Sequence, residues 1–379
     1  MKKIGILTYH RAINYGAFLQ CYSLITYVQS LFPNYKVEVI DYESVDEYII
    51  TIKGILKVHS VSDLLSNIKR YRLFRKDLKC YLPLSKKRCI SNNKDALSKT
   101  YSDEYDAIIV GSDAVWNGFE NNKYNFYLNN IKCKKFSYAA STSGLNLEKV
   151  SAERKKEVRL LIEDFLYIGV RELKSENILK QLNINKPLYH NCDPTCFIDL
   201  GKVNVKIEEK LQKNGIDIKK PIICLMTDNA KVGQVAKDKF GKTHQIVSLY
   251  SVNTYADVIL YDLSPMEFSV FFSYVSILFS RFFHGCYLCL KNGTPVIATD
   301  EIIEPDHEMS KIEYLFKRLG LDEWYFNIHK IKDEDYYKMM SKAHTLMEND
   351  QTGIIRRKLE EECKFRNTFT ETIVRELSK

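Results

Sequence analysis

Apolar residues in this chain gather into short runs separated by amphipathic stretches. Residues 3–9, Lys-Ile-Gly-Ile-Leu-Thr-Tyr, read as a buried strand. A polar loop containing Gly16 follows, then residues 18–31 with helical spacing, then a second strand over 37–41. This is a β-α-β opening. Further apolar runs at 105–110, 136–140 and 167–171 read as strands, with a helix over 152–165 between the last two. Such alternation predicts a parallel sheet covered by helices on both faces.

The pattern restarts after about residue 200. Strands are predicted at 221–226, 245–249, 275–279 and 295–299, and helices at 231–240, 266–273 and 284–291. The expected fold is α/β, with two Rossmann-like domains facing a central cleft. The domains span 1–200 and 201–350, and residues 351–379 form one charged amphipathic helix. Residues 43–104 fit neither unit and read as a basic insertion. Within them Lys69 to Arg88 carries nine basic residues against the single acid Asp77. A solvated helical face explains this, and contact with an anionic acceptor or lipid headgroup is the sharper reading.

Composition narrows the class. With 379 residues, 45% hydrophobic and 27% charged, the chain is long enough for two cores and has a globular profile. A net charge of +8 suits anionic ligands and falls short of a dedicated nucleic-acid binder. Cys286 and Cys289 form a C-x-x-C with no second pair to complete a zinc site. No metal is expected, and the ten cysteines read as reduced thiols of a cytoplasmic protein. Residues 4–9 are too short for a signal-peptide core, and the run 270–279 is about half a membrane span. The expected location is cytoplasmic or peripheral to the inner face of the membrane.

Five segments hold candidate chemistry. Asn14-Tyr15-Gly16-Ala17 follows the first strand, where backbone N–H groups meet ligands in open α/β sheets, although a capped turn would look the same. Gly111-Ser112-Asp113 with Trp116-Asn117 brings together a carboxylate, an indole and an amide, the mix that sugar sites use. An Asp cap with a core Trp is the alternative. Arg171 ends a strand and could grip a carboxylate or phosphate, or pair with Glu172 or Asp193. Arg281 and His284 open a helix, an anion-binding position where a His also exchanges protons. Ser310 and Glu313 fit a capping box, with Lys311 as a phosphate contact or as surface decoration.

Taken together, these segments resemble the polysaccharide pyruvyl transferase family over residues 1 to about 321. The resemblance rests on order: Asn14-Tyr15-Gly16-Ala17, Gly111-Ser112-Asp113 with Trp116-Asn117, Val170-Arg171-Glu172, Asp193-Pro194-Thr195, Arg281 near His284-Gly285 with Gly293-Thr294-Pro295, then Lys311 and Leu319-Gly320-Leu321. The family commonly carries Arg or Ser two residues before the His. Here Phe282 holds that place and Arg281 stands three before, a shift that turns a side chain by about 100° on a helix.

The resemblance implies a GT-B-like architecture, with the terminal helix returning to the first domain. It implies phosphoenolpyruvate as co-substrate, without another cofactor, and transfer of its pyruvyl group onto a sugar hydroxyl pair as a ketal. By the same resemblance Arg171, Arg281, His284 and Lys311 hold the donor, and His284 and Asp113 act as acid and base beside Arg171. Asn14, Tyr15, Gly16, Trp116 and Asn117 touch the acceptor, which is free or lipid-linked. Two other readings stay open: a GT-B-type glycosyltransferase using a nucleotide sugar, and a non-catalytic glycan-binding or assembly protein.

Overall fold

The computed structural model describes all residues except 58–59, 102–103, 200–202 and 301–308. The chain divides into two compact units, Met1–Ile198 with Lys364–Lys379, and Asp199–Cys363. The junction expected at residue 200 lies outside the described residues.

The first unit is built on a seven-stranded parallel sheet: β1 (Lys3–Leu7), β2 (Lys36–Glu43), β3 (Leu84–Ile90), β4 (Ala107–Asp113), β5 (Lys134–Ala140), β6 (Tyr167–Val170) and β7 (Leu188–His190). Their spatial order is β3-β2-β1-β4-β5-β6-β7. Ile4 of β1 pairs with Val37 on one side and Ala107 on the other. The central strands are apolar at nearly every position because helices cover both faces. Those helices are α1 (Tyr15–Leu31), α2 (Val45–Leu56), α3 (Val61–Tyr81), α4 (Ala96–Tyr101), α5 (Ala152–Glu163) and α6 (Leu173–Gln181).

Residues 43–104 are therefore not an insertion. They supply the α2–α3 pair and β3, which adds the edge strand beside β2. The sequence hid β3 because three consecutive residues, Lys86, Lys87 and Arg88, are exposed, as an edge strand allows.

The second unit has a six-stranded parallel sheet: β8 (Ile222–Met226), β9 (Gln245–Leu249), β10 (Val258–Leu260), β11 (Val275–Ser280), β12 (Val296–Asp300) and β13 (Tyr325–Asn327). The order is β10-β9-β8-β11-β12-β13. Its helices are α7 (Glu208–Lys213), α8 (Ala230–Phe240), α9 (Pro265–Phe271), α10 (Phe283–Lys291), α11 (Lys311–Leu319), α12 (Asp333–Glu348) and α13 (Thr352–Cys363). Counting strands within this unit, the order is 3-2-1-4-5-6, the doubly wound arrangement that reverses direction beside its first strand.

The terminal segment is two helices, not one. α13 belongs to the second unit, a 3-10 turn covers Lys364–Arg366, and α14 (Asn367–Ser378) belongs to the first. Phe369 of α14 is fully buried against the rings of Tyr138 and Tyr167, at 4.8 and 5.4 Å. No Gly or Pro after Gly353 marks the break in the sequence.

Candidate active site

In each sheet the strand order reverses at one point, between β1 and β4 in the first unit and between β8 and β11 in the second. Loops leaving neighbouring strands there diverge to opposite faces and open a crevice at the carboxyl edge. The segments singled out from sequence at Asn14, Asp113 and His284 all leave one of these four strands.

At the first switch point Gln20 ties the two loops together. Its amide donates to the Thr8 hydroxyl at 2.9 Å, and its carbonyl accepts from the Ser112 backbone N–H and hydroxyl at 3.1 and 2.8 Å. Asn14 caps α1 by accepting from the Ala17 N–H at 3.1 Å and remains exposed. Gly111 has φ +114°, and a Cβ there would lie 2.2 Å from the Tyr138 carbonyl oxygen, so only glycine fits. Asp113 follows at φ 78°, half-buried, its carboxylate accepting from the Ala114 N–H at 2.9 Å. Asn117 is half-buried and accepts from the Tyr9 hydroxyl at 3.4 Å.

Two expectations for this unit need correction. Trp116 is fully buried: its indole N–H donates to the Phe126 carbonyl at 3.1 Å, and its ring stacks on Tyr127 and meets Phe165 edge-on. No ring face is left for a sugar. Tyr15 is likewise buried, against Phe74 at 4.9 Å.

Arg171 is buried among three carboxylates. It donates to Glu172 at 3.1 Å and to Asp193 at 3.2 Å, and stands 3.8 Å from Asp113. Burial opposes its charge, but Glu172, Asp113 and Asp193 more than offset that and raise its pKa. These pairings place Arg171 to orient Asp113 and Glu172.

The structure adds residues that the sequence reading passed over. His10 and Arg11, just after β1, both converge on Asp41 of β2. Arg11 makes a two-pronged contact at 2.5 and 2.6 Å, and His10 Nε2 lies 3.2 Å away. Burial opposes ionisation of Asp41, yet Arg11 and His10 hold its carboxyl far below the usual range. His10 and Arg11 border a cavity of about 320 Å³, with Tyr9, Tyr42, Glu47 and Arg70 also in its wall. Burial, then Glu47 and Asp113, push the Tyr9 phenol well up. A second cavity of about 470 Å³ is lined by Asn117, Glu120, Asn146 and Arg154. A His-Arg pair directly after a strand at the sheet's reversal was the available signal.

At the second switch point Arg281 leaves β11 and pairs with Asp228, which follows β8, at 3.2 Å. Its guanidinium lies 5.0 Å from the Phe282 ring. His284 is half-buried in the first turn of α10. The residue opening that helix is Phe282, whose side chain makes no cap. Gly285 lets α10 sit close on β8: a Cβ there would lie 2.7 Å from the Met226 sulfur.

Lys311 is exposed at the start of α11, which Ser310 caps by accepting from Glu313 N–H at 3.1 Å. Glu313 pairs with Lys317 at 3.1 Å.

Cys286 and Cys289 are fully buried. Burial raises both thiols, Cys286 to about 12, which fits core packing rather than redox work. Eight of the ten cysteines are free thiols, while Cys196 and Cys363 are disulfide-bonded, against the expectation of ten reduced thiols. No group of three His, Cys, Asp or Glu among the described residues could hold a metal.

Two Rossmann-like units, each with polar loops at the reversal of its sheet, give the chain a GT-B-like build. The chain belongs to the polysaccharide pyruvyl transferase family, whose model matches residues 14–301, and is a transferase.

Solved structures similar in fold include three UDP-GlcNAc 2-epimerases. That of Neisseria meningitidis, bound to UDP-GlcNAc, is 11% identical with a TM-score of 0.56, covering 99% of this chain and 100% of its own. A putative one from Listeria monocytogenes is 11% identical with a TM-score of 0.57, covering 100% and 97%. That of Methanocaldococcus jannaschii is 10% identical with a TM-score of 0.51, covering 93% and 94%. No curated protein matches the chain.

Proposed function

We propose that this chain transfers the pyruvyl group of phosphoenolpyruvate onto a pair of sugar hydroxyls of a cell-surface polysaccharide or its precursor, forming a cyclic ketal. The observation that carries this reading is Arg281 and His284 at the switch point of the second sheet, within the family match. A cation and an imidazole at the start of a helix suit a donor bearing phosphate and carboxylate.

In this reading His284 and Arg281 bind the donor, with Lys311 a further contact. His284 delivers a proton to the methylene carbon, leaving an oxocarbenium-like centre at the adjoining carbon. A sugar hydroxyl attacks that centre and gives its proton to Asp113, whose carboxylate is fixed by the Ala114 N–H and Arg171. The bond to the phosphate oxygen breaks, the second hydroxyl closes the ring, and the two hydroxyl protons restore the acid and leave with phosphate. Asn14 and Asn117 remain the acceptor contacts, whereas Gly16, like Tyr15, is buried in the first turn of α1. Trp116 drops out because it is buried, and Arg171 becomes a positioning residue for Asp113.

The test is mass spectrometry of candidate acceptors incubated with phosphoenolpyruvate, alongside phosphate release. His284→Ala should abolish both while keeping the parent's thermal transition. Near-normal turnover in that variant would remove His284 from the mechanism. Heat stabilisation by a nucleotide sugar but not by phosphoenolpyruvate would instead favour the glycosyltransferase reading.

A further inference from the structure

The α2–α3 pair leaves much of its surface exposed. α2 has no buried residue. Its exposed positions Ile49, Ile50, Lys53 and Leu56 fall on one arc of the helix, and exposed Lys57 follows its end. On α3 the exposed positions Val61, Leu65, Lys69, Arg72, Lys76 and Lys79 follow helical spacings of three and four. Ile50, Leu56, Val61 and Leu65 are 66, 62, 75 and 63% exposed. Residues 45–82 hold eight basic and four acidic side chains, so they carry half of the chain's net charge of +8 on a tenth of its length.

From this pattern we infer that the α2–α3 hairpin docks on the surface of an anionic lipid bilayer. On α3 the exposed stripe is apolar first and cationic after, and α2 adds Ile49, Ile50, Lys53 and Leu56. Such a stripe sinks its aliphatic side chains among acyl chains while the lysine and arginine stems reach back to the headgroup phosphates. An apolar groove on a protein partner would instead call for an uninterrupted apolar face. No described helix is long and apolar enough to cross a membrane, so the contact inferred is with the surface. The anionic contact expected over Lys69 to Arg88 shifts accordingly. Arg88 belongs to β3 and pairs with Glu43 at 3.0 Å, whereas α2, outside that run, joins the surface.

The test is flotation of the full chain with vesicles, with neither donor nor acceptor present, so that the result stands apart from the proposed reaction. Vesicles of phosphatidylcholine alone are compared with vesicles holding about a third phosphatidylglycerol, at low and high salt. The chain should float with the anionic vesicles at low salt and not with the neutral ones.

A variant with Lys69→Gln, Arg72→Gln, Lys76→Gln and Lys79→Gln should lose about fivefold per cation, or two to three powers of ten together. A variant with Leu56→Ser, Val61→Ser and Leu65→Ser should lose about tenfold or more on the same vesicles. All substituted side chains are exposed, so both variants should keep the parent's thermal transition. Failure of the folded parent to float, equal flotation with neutral vesicles, or flotation unchanged in either variant would overturn the inference. So would a hairpin-dependent dimer, seen by sedimentation, that persists with anionic vesicles present.

Discussion

At the residue scale, whether a polar group serves the fold or remains open to a ligand depends on its neighbours. Asp41 lies toward the end of β2, and its contacts with His10 and Arg11 explain a buried carboxylate there. Its pKa is lowered on folding, so its stabilisation is fully present above the unfolded value near 4 and disappears as pH falls through the folded value. Asp41→Asn should therefore be less stable than the parent at neutral pH, with the gap narrowing below about pH 4. Urea midpoints across that range measure it, and a gap independent of pH would contradict the pairing. Gly111 sets a second limit. Its φ of +114° and the Tyr138 oxygen leave no room for a methyl group, so Gly111→Ala should cost roughly 2–4 kcal/mol in the same titration.

At the element scale, Trp116 shows why a motif is not yet a site. Carboxylate, indole and amide lie within five residues after β4, yet the loop sends the indole into the core and leaves Asp113 and Asn117 outside it. Local sequence cannot decide this, because the decision rests on Phe126, Tyr127 and Phe165, ten to nearly fifty positions away. Trp116→Ala should cost about 3–5 kcal/mol of stability through the cavity it leaves. Sugar affinity in the surviving folded fraction should be unchanged, and calorimetry showing specific loss of acceptor binding would restore the stacking role. Arg171 teaches the same lesson. The motif reads as an open grip, whereas Glu172 and Asp193 already occupy its two sides.

At the scale of the whole molecule, the chain leaves its first unit near residue 198 and returns to it at Lys364. α14 fills a place on the first unit: Phe369 packs on Tyr138 and Tyr167, and the Tyr35 hydroxyl donates to the Leu377 carbonyl at 3.0 Å. Truncation after Cys363 should lower the unfolding transition of the first unit and leave that of the second nearly unchanged, so a calorimetric trace should split. A single unshifted transition would mean that α14 contributes little.

The sequence alone determined the two α/β units and most central strands, because buried parallel strands are written as continuous apolar runs. It also located the loops at Asn14, Asp113 and His284, since their order along the chain carries the family resemblance. Short or polar edge strands such as β3, β7, β10 and β13 left little trace, because one side of each is unpaired and their residues need not be apolar. Which candidates stay open to a ligand, and that His10, Arg11 and Asp41 meet at all, was decided only by tertiary structure. Burial and charge pairing depend on residues far apart in the chain, and the neighbours of a side chain do not appear in its own motif.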